Sequence, residues 1–269
     1  MTIDENLSVI ARQAFDAAQV SLRMGHVDIA EFRFRNAASL GSRDAMIWLG
    51  DAAHHQGALA DAWTWYEAAA SEGSDVAMVR LGLAREASGD EAGKVSWFLR
   101  AVQAGSRDAM FNLGNHFRDR DDFATAKSWY AKAAALGDDD AMRIVGALEI
   151  ATGTLESAVP WFERAAAVGN ADADVTLRRL KMATRGDVDS IVFVAWAFTE
   201  KRNDAEAARW TTEAIRRGVA DIDQRFGEHF EMVGLREEAM ERYSRSTLGG
   251  NRQSLDGIMR LCDTGQFLE

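Results

Sequence analysis

The 269-residue sequence holds one cysteine, Cys262, and one proline, Pro160. A single thiol cannot close an internal disulfide, so a stapled secreted scaffold is excluded and a reducing compartment, the cytoplasm, is expected. No apolar run reaches the roughly 18 residues that a membrane-crossing helix needs. The opening MTIDENLSVIARQ has two acids before its first arginine and no long apolar stretch, so no signal peptide is expected there. Positive charge is also short: 31 lysines and arginines stand against 42 carboxylates, a net charge of −11. That balance repels nucleic-acid phosphates and anionic lipid, which argues against either as a partner. Apolar residues, by contrast, make up 47% of the chain, too many for a disordered tail. The length fits two average domains or one elongated array.

Glycines decide for the array. Gly41, Gly73, Gly105, Gly137 and Gly169 stand 32 residues apart, and after a jump of 49 come Gly218 and, 32 later, Gly250. A fixed period of this size means stacked supersecondary units. Counting each unit from the second residue after its glycine, position 7 reads Ala17, Leu49, Leu81, Leu113, Val145, Val194 and Phe226. Position 8 reads Ala18, Gly50, Gly82, Gly114, Gly146, Ala195 and Gly227, and position 24 reads Phe34, Tyr66, Phe98, Tyr130, Phe162, Thr211 and Tyr243. Position 27 is alanine six times and then Ser246. Apolar residues at 3, 4, 7 and 11, and again at 20, 24 and 27, predict two antiparallel helices per unit. The tiny residue at 8 lets the backbones approach while the ring at 24 fills the space beside it. Position 15 is glycine in five units, as a left-handed helix cap requires, with Asp121 and Arg202 as exceptions.

The strings "DAMIWLG…WYEAAASEG" from Asp44, "DAMFNLG…WYAKAAALG" from Asp108 and "DAMRIVG…WFERAAAVG" from Asp140 resemble the tetratricopeptide family, and within it the Sel-one-like branch. The resemblance runs from about residue 11 to 251. It implies an all-α, right-handed α-α superhelix, a solenoid of about seven 32-residue helix-turn-helix repeats, that binds other proteins and has no catalytic residue to carry over. The expected organisation is a cap and five repeats over 1–170, an inserted half-repeat helix over 171–187, and two repeats with a capping helix over 188–269, in one continuous core. The insertion ADADVTLRRLKMATRGD resembles a first helix without its second, so two like helices stack in succession; it reads as a hinge or as a deletion filled by packing. The tail helix is expected to bury Leu255, Ile258, Met259 and Cys262, and Pro160 to bend the helix that carries it.

Searches for chemistry end in structural readings. Gly89 to Val95 is one residue too short and lacks the hydroxyl of a phosphate loop. The five histidines are scattered; Asp51 and His55, four apart, are the best metal pair, and a solvated face explains them better. No nucleophile is flanked by glycines, so no enzyme and no cofactor or metal is expected. Trp65, Trp97, Trp129, Trp161 and Trp210 all occupy position 23, a regularity that argues for repeat packing rather than a ligand ladder.

The resemblance also implies that positions 2, 5, 9, 12 and 13 of each first helix line a concave groove. These positions hold eleven acids and four bases, but five of the acids stand at position 2, where the helix dipole favours them anyway. The middle of the groove is apolar, with Leu83 and Phe111 as anchors. Its C-terminal third gathers Glu200, Glu228 and Glu231 near Trp196 and Met232. Trp196 is either a groove anchor or buried against the inserted helix. That helix carries Arg178, Arg179, Lys181 and Arg185, read as a solvated face or as a seam for an acidic partner, a second copy or an anion. Lysine and asparagine pairs at positions 5 and 9 are missing, which disfavours clamping of a chain-terminal carboxylate. The expected function is an adaptor that holds a peptide or protein with basic and apolar residues. The alternative is a self-assembling or sensory protein that uses the groove or inserted helix for a small ligand or a second copy.

Overall fold

A computed structural model of the protein describes residues 3–232 and 234–263. All regular structure among them is helical, in sixteen α-helices. The first four pairs are α1 (Ile3–Arg23) with α2 (Val27–Ser39), α3 (Arg43–His55) with α4 (Leu59–Ser71), α5 (Asp75–Ala87) with α6 (Glu91–Gln103), and α7 (Arg107–Arg118) with α8 (Phe123–Ala135). The chain divides after Leu136 into two compact units. The second unit holds α9 (Asp139–Thr152) with α10 (Leu155–Ala167), the lone α11 (Ala171–Thr184), α12 (Val188–Glu200) with α13 (Asp204–Arg216), α14 (Ile222–Met232) with α15 (Arg236–Leu248), and the end helix α16 (Gln253–Asp263).

Each first helix starts where a side chain can satisfy its free N–H groups. Ser42, Ser74, Ser106, Asp138, Asn170 and Asp187 all accept a bond from the backbone three residues on. The glycine just before each of them is left-handed and closes the preceding helix; at Gly41 (φ 87°) this lets Ser42 N donate to Ala37 O at 3.0 Å. The same rule explains the two exceptions at position 15. Asp121 (φ 60°) and Arg202 (φ 56°) adopt the left-handed turn without being glycine, at a cost of about 1–2 kcal/mol each. Gly153 departs the other way: α9 runs one residue past its thirteen-residue siblings and Gly153 sits at φ −127°, outside the left-handed region.

Within a pair, the close approach is steric fact. A methyl group on Gly50, Gly82, Gly114, Gly146 or Gly227 would meet the ring of Tyr66, Phe98, Tyr130, Phe162 or Tyr243 at 2.4–2.8 Å. Those rings are buried and form the centre of each pair. In the α12–α13 pair position 24 is Thr211, and its neighbour Trp210 is the buried ring instead, 7% exposed. The helix α10 runs unbroken through Pro160, which lies on its exposed face.

The inserted α11 packs on both α10 and α12, yet it does not hold the fifth and sixth repeats apart. Asn203, in the α12–α13 turn, donates to Ile150 O at 3.1 Å and Gly153 O at 2.8 Å, and Arg209 pairs with Glu156 at 3.2 Å. The ends are closed by substitution. Arg33, at a position where tryptophan is usual, donates to Ala17 O and Ser21 Oγ. At the other end α16 uses little of the face expected of it: Ser254, Gly257 and Leu261 are buried and Ile258 is half-buried, whereas Leu255, Met259 and Cys262 are exposed. The reason is Gly257, whose missing side chain admits the Tyr243 ring at 2.5 Å from where a Cβ would stand.

Candidate functional site

In the first unit the expected groove residues are accessible but largely engaged. Leu83 and Phe111 are half-buried, and Phe111 meets Tyr130 edge-on at 5.4 Å. Asp51 accepts the Tyr66 hydroxyl at 2.7 Å and the Arg80 guanidinium at 3.1 Å, so its carboxylate is committed to joining two repeats rather than to His55. No group of three potential metal ligands occurs among the described residues. Tyr130 donates to Asn115 at 2.7 Å and Tyr243 to Glu231 at 2.7 Å, so all three tyrosines in the sequence carry a hydroxyl from the second helix to an acceptor on the first.

The tryptophans at position 23 are also explained by packing. Arg100 lies over Trp97 at 4.1 Å, Lys132 over Trp129 at 3.7 Å and Arg164 over Trp161 at 4.8 Å, each cation three residues along the same helix. Lys94 is a departure that the repeat alignment contains but that the groove positions do not reveal. Position 20 is alanine in every other unit, and here it holds a lysine 4% exposed, paired with Glu86 and Glu91 at 2.9 Å. His116 and Arg120 join the same cluster through Glu91, and burial with the nearby Arg120 keeps the imidazole below its usual pKa.

The second unit has a different feature. Where the insertion interrupts the alternation of helices, α11, α12 and α14 enclose a cleft of about 510 Å³. Its floor is aromatic: Trp196 lies 3.9 Å from His229 and 5.7 Å from Phe193, centroid to centroid, with Phe230 at 6.2 Å behind. Met182 and Met232 are exposed at its edge. The two readings of Trp196 therefore merge, since the indole is half-buried and faces the inserted helix across an open cavity. The indole Nε1 and the His229 Nε2 are both buried without a hydrogen-bond partner, an expensive condition for polar atoms. Burial, then the Arg179 charge, lowers the His229 pKa, so the ring is neutral at pH 7.

The acids and bases around this cleft sort into used and unused. Glu231 is held by Arg260 at 2.8 and 3.0 Å and by Tyr243, which keeps its carboxyl below the usual range. Glu200 pairs with Lys201 at 2.9 Å. Glu228 accepts from Gln224 at 2.9 Å and has Arg225 at 3.9 Å, while Arg225 also binds Asp189. Asp187 caps α12. The expected acidic patch thus carries its own cations. On α11, Arg178 pairs with Asp174 at 2.6 Å and Lys181 with Glu163 at 2.8 Å. Arg185 is the C-cap residue of α11. Arg179 alone of the four turns to the cleft, its guanidinium 4.7 Å from the Phe193 ring centre. Arg225 and Glu228 also border a neighbouring polar cleft of about 680 Å³ lined by Asp221, Gln224 and Asn251.

The sequence places Glu228 and Met232 with Trp196 but leaves Arg179 in a separate basic cluster, and the structure brings all four to one cleft. Sequence reasoning missed Phe193 and His229, whose positions 6 and 10 lie outside the five positions it took to line the groove.

Comparison with known proteins agrees with this architecture. The tetratricopeptide repeat family model matches residues 15–77 and 111–174. Among solved structures, the chain is similar to a protective antigen of uropathogenic Escherichia coli strains displaying an SLR fold, at 19% identity and a TM-score of 0.56, covering 96% of this chain and 67% of that one. It is also similar to a Sel1 repeat protein from Oxalobacter formigenes, at 20% identity and a TM-score of 0.48, covering 87% and 99%. No curated protein matches the sequence.

Proposed function

We propose that the chain, an all-α helical-repeat protein with tetratricopeptide repeats matched over residues 15–77 and 111–174, is a non-enzymatic adaptor that binds a segment of another protein on its first helices. Repeats of this type generally mediate protein–protein contacts, and generally without catalysis. The observation that carries the reading is the aromatic cleft at Trp196, an open cavity at the one place where the 32-residue alternation is broken. A repeat lattice supplies sameness, and a binding site needs local difference. An indole and two exposed methionines around about 510 Å³ suit an apolar anchor from the guest. Leu83 and Phe111, half-buried on the first unit, would offer an apolar contact of their own there. Glu228 and Glu200, each beside an internal cation, would orient the guest's polar groups, while Glu231, tied to Arg260 and Tyr243, lies outside the residues that line the cleft. A single exposed thiol suits a cytoplasmic setting.

The test is capture of a stoichiometric partner by the tagged protein from native lysate, repeated with Trp196→Ala and with Phe32→Ala, an exposed ring distant in sequence from the cleft. The expected result is a partner retained by Phe32→Ala and lost, by tenfold or more in affinity, from Trp196→Ala. A partner bound equally by both variants refutes the assignment of the cleft. Absence of any partner, together with a mass in solution that rises with concentration, supports self-association instead.

A further inference from the structure

We infer that the Trp196 cleft is a site for a carboxylate carried on an apolar, preferably aromatic, body. Three independent features on α11, α12 and α14 converge on that chemistry. The first is charge. Every carboxylate at the cleft is already in use: Asp187 as a helix cap, Asp189 with Arg225, Glu228 with Arg225 and Gln224. Among the described residues Arg179 has no carboxylate partner; its guanidinium lies over the face of Phe193. A guanidinium placed over an aromatic face can keep edge N–H groups free for the two oxygens of a carboxylate. The second is hydrogen bonding. Trp196 Nε1 and His229 Nε2 lack a partner. The indole nitrogen is a donor only, and the neutral imidazole can place its proton on the unpartnered nitrogen, so an incoming acceptor that these closed rings turn to meet would satisfy groups that the fold leaves unsatisfied. The third is shape: the Phe193, Trp196 and His229 rings make a wall on which a second flat ring can stack. A basic guest group would meet an unpaired cation and find no free carboxylate. The inference depends on the cleft being a binding site, and not on the guest being a protein.

The probe is phenylacetate against phenylacetamide, which has the same shape without the charge. Both are titrated into the full-length ¹⁵N-labelled protein while the Trp196 indole N–H resonance, assigned by its loss in Trp196→Phe, is followed. The expected result is a shift of that resonance by phenylacetate with an affinity at least fivefold above that for phenylacetamide. The preference should vanish in Arg179→Gln and survive in Arg178→Gln, both at exposed positions whose variants are checked for parental helicity. Equal affinities, no shift with either compound, or a preference retained in Arg179→Gln would each overturn the inference. A capped Phe-Glu peptide in competition separates the sources of the group: displacement of phenylacetate places the carboxylate on a guest polypeptide, and failure to displace it places it on a small free acid. If phenylacetate does not bind while lysate capture still depends on Trp196, the adaptor reading stands and only this inference falls.

Discussion

Repeat four and repeat six have the same length and the same helix boundaries to within a residue, and they solve the same packing problem in opposite ways. In repeat four Gly114 removes a side chain so that Tyr130 can enter, and the tyrosine hydroxyl reaches Asn115 across the pair. In repeat six Ala195 keeps its methyl group, Thr211 takes the ring position, and Trp210 rotates in from the outward position, its indole donating to Glu206 at 3.2 Å. The outer surface of repeat six thereby loses its tryptophan, and its first helix gains Phe193 and Trp196. The lesson is that the lattice tolerates exchange between its positions wherever a neighbouring element, here α11, supplies contacts that the regular stack does not.

The largest effect should come from forcing the exchange where no compensation exists. Gly114→Leu drives a side chain into the Tyr130 ring and is expected to lower unfolding free energy by about 3 kcal/mol in urea denaturation. Ala195→Gly in repeat six should cost only about 1 kcal/mol, the price of glycine in a helix. Equal effects at the two sites would erase the distinction. Next in size is the junction that seats repeat six on repeat five. Asn203→Ala removes an N-cap acceptor and two donated bonds, and should destabilise the protein by about 2 kcal/mol; a variant with parental stability would show that α11, rather than this contact, joins the repeats. The two repeats do share one defect, the left-handed non-glycine residue at position 15. Asp121→Gly and Arg202→Gly should each raise stability by about 1 kcal/mol, since the backbone strain is relieved while the turn is retained.

The smallest effect is on pH dependence. His116 in repeat four and His229 beside repeat six both titrate below the ordinary histidine value of about 6.5, chiefly because burial disfavours the charged ring. The unfolded chain therefore binds protons first as the pH falls. Their contribution to stability is complete above about pH 6.5 and declines as the pH drops toward the folded values. Melting temperatures at pH 7.5 and 5.5 should differ less in His116→Gln/His229→Gln than in the parent. Carboxylates such as Glu91 and Glu231, which are lowered by their partners, lose their contribution only further down, below about pH 4.5.

The helix pairs were legible because their cause is local and repeated. Gly50, Gly82 and Gly114 each face a ring sixteen residues on, and the spacing alone predicts that meeting. Caps such as Ser42 and Asp138 follow from the residue after a left-handed glycine. The end helix was misread because which of its faces is buried depends on Tyr243, a residue of the preceding pair, finding Gly257. The charge balance of the groove was hidden for a similar reason: Glu231 is neutralised by Arg260, 29 residues away, and Asp51 by Arg80 at the same separation. Nearest-repeat contacts of that kind depend on which way a long side chain turns, and a positional count of acids and bases does not contain that information. Trp196 was legible as a groove residue near Glu228 and Met232, but its link to Arg179 was not, because Arg179 belongs to the segment where the register itself fails.

The placement of the tyrosines has an optical consequence. All three phenols are held above their ordinary pKa of 10 by burial, Tyr130 at about 12, and Tyr66 and Tyr243 are raised further by the carboxylates they bond. A phenol closed inside a helix pair stays mostly protonated at pH 11.5 and ionises in full only when the pair opens, so the near-ultraviolet absorbance of the alkaline protein is a clock. Tyr66 and Tyr130 time the first unit and Tyr243 the second, and the shape of that signal in a rapid jump to pH 11.5 tells whether the two halves of the chain come apart together or in turn.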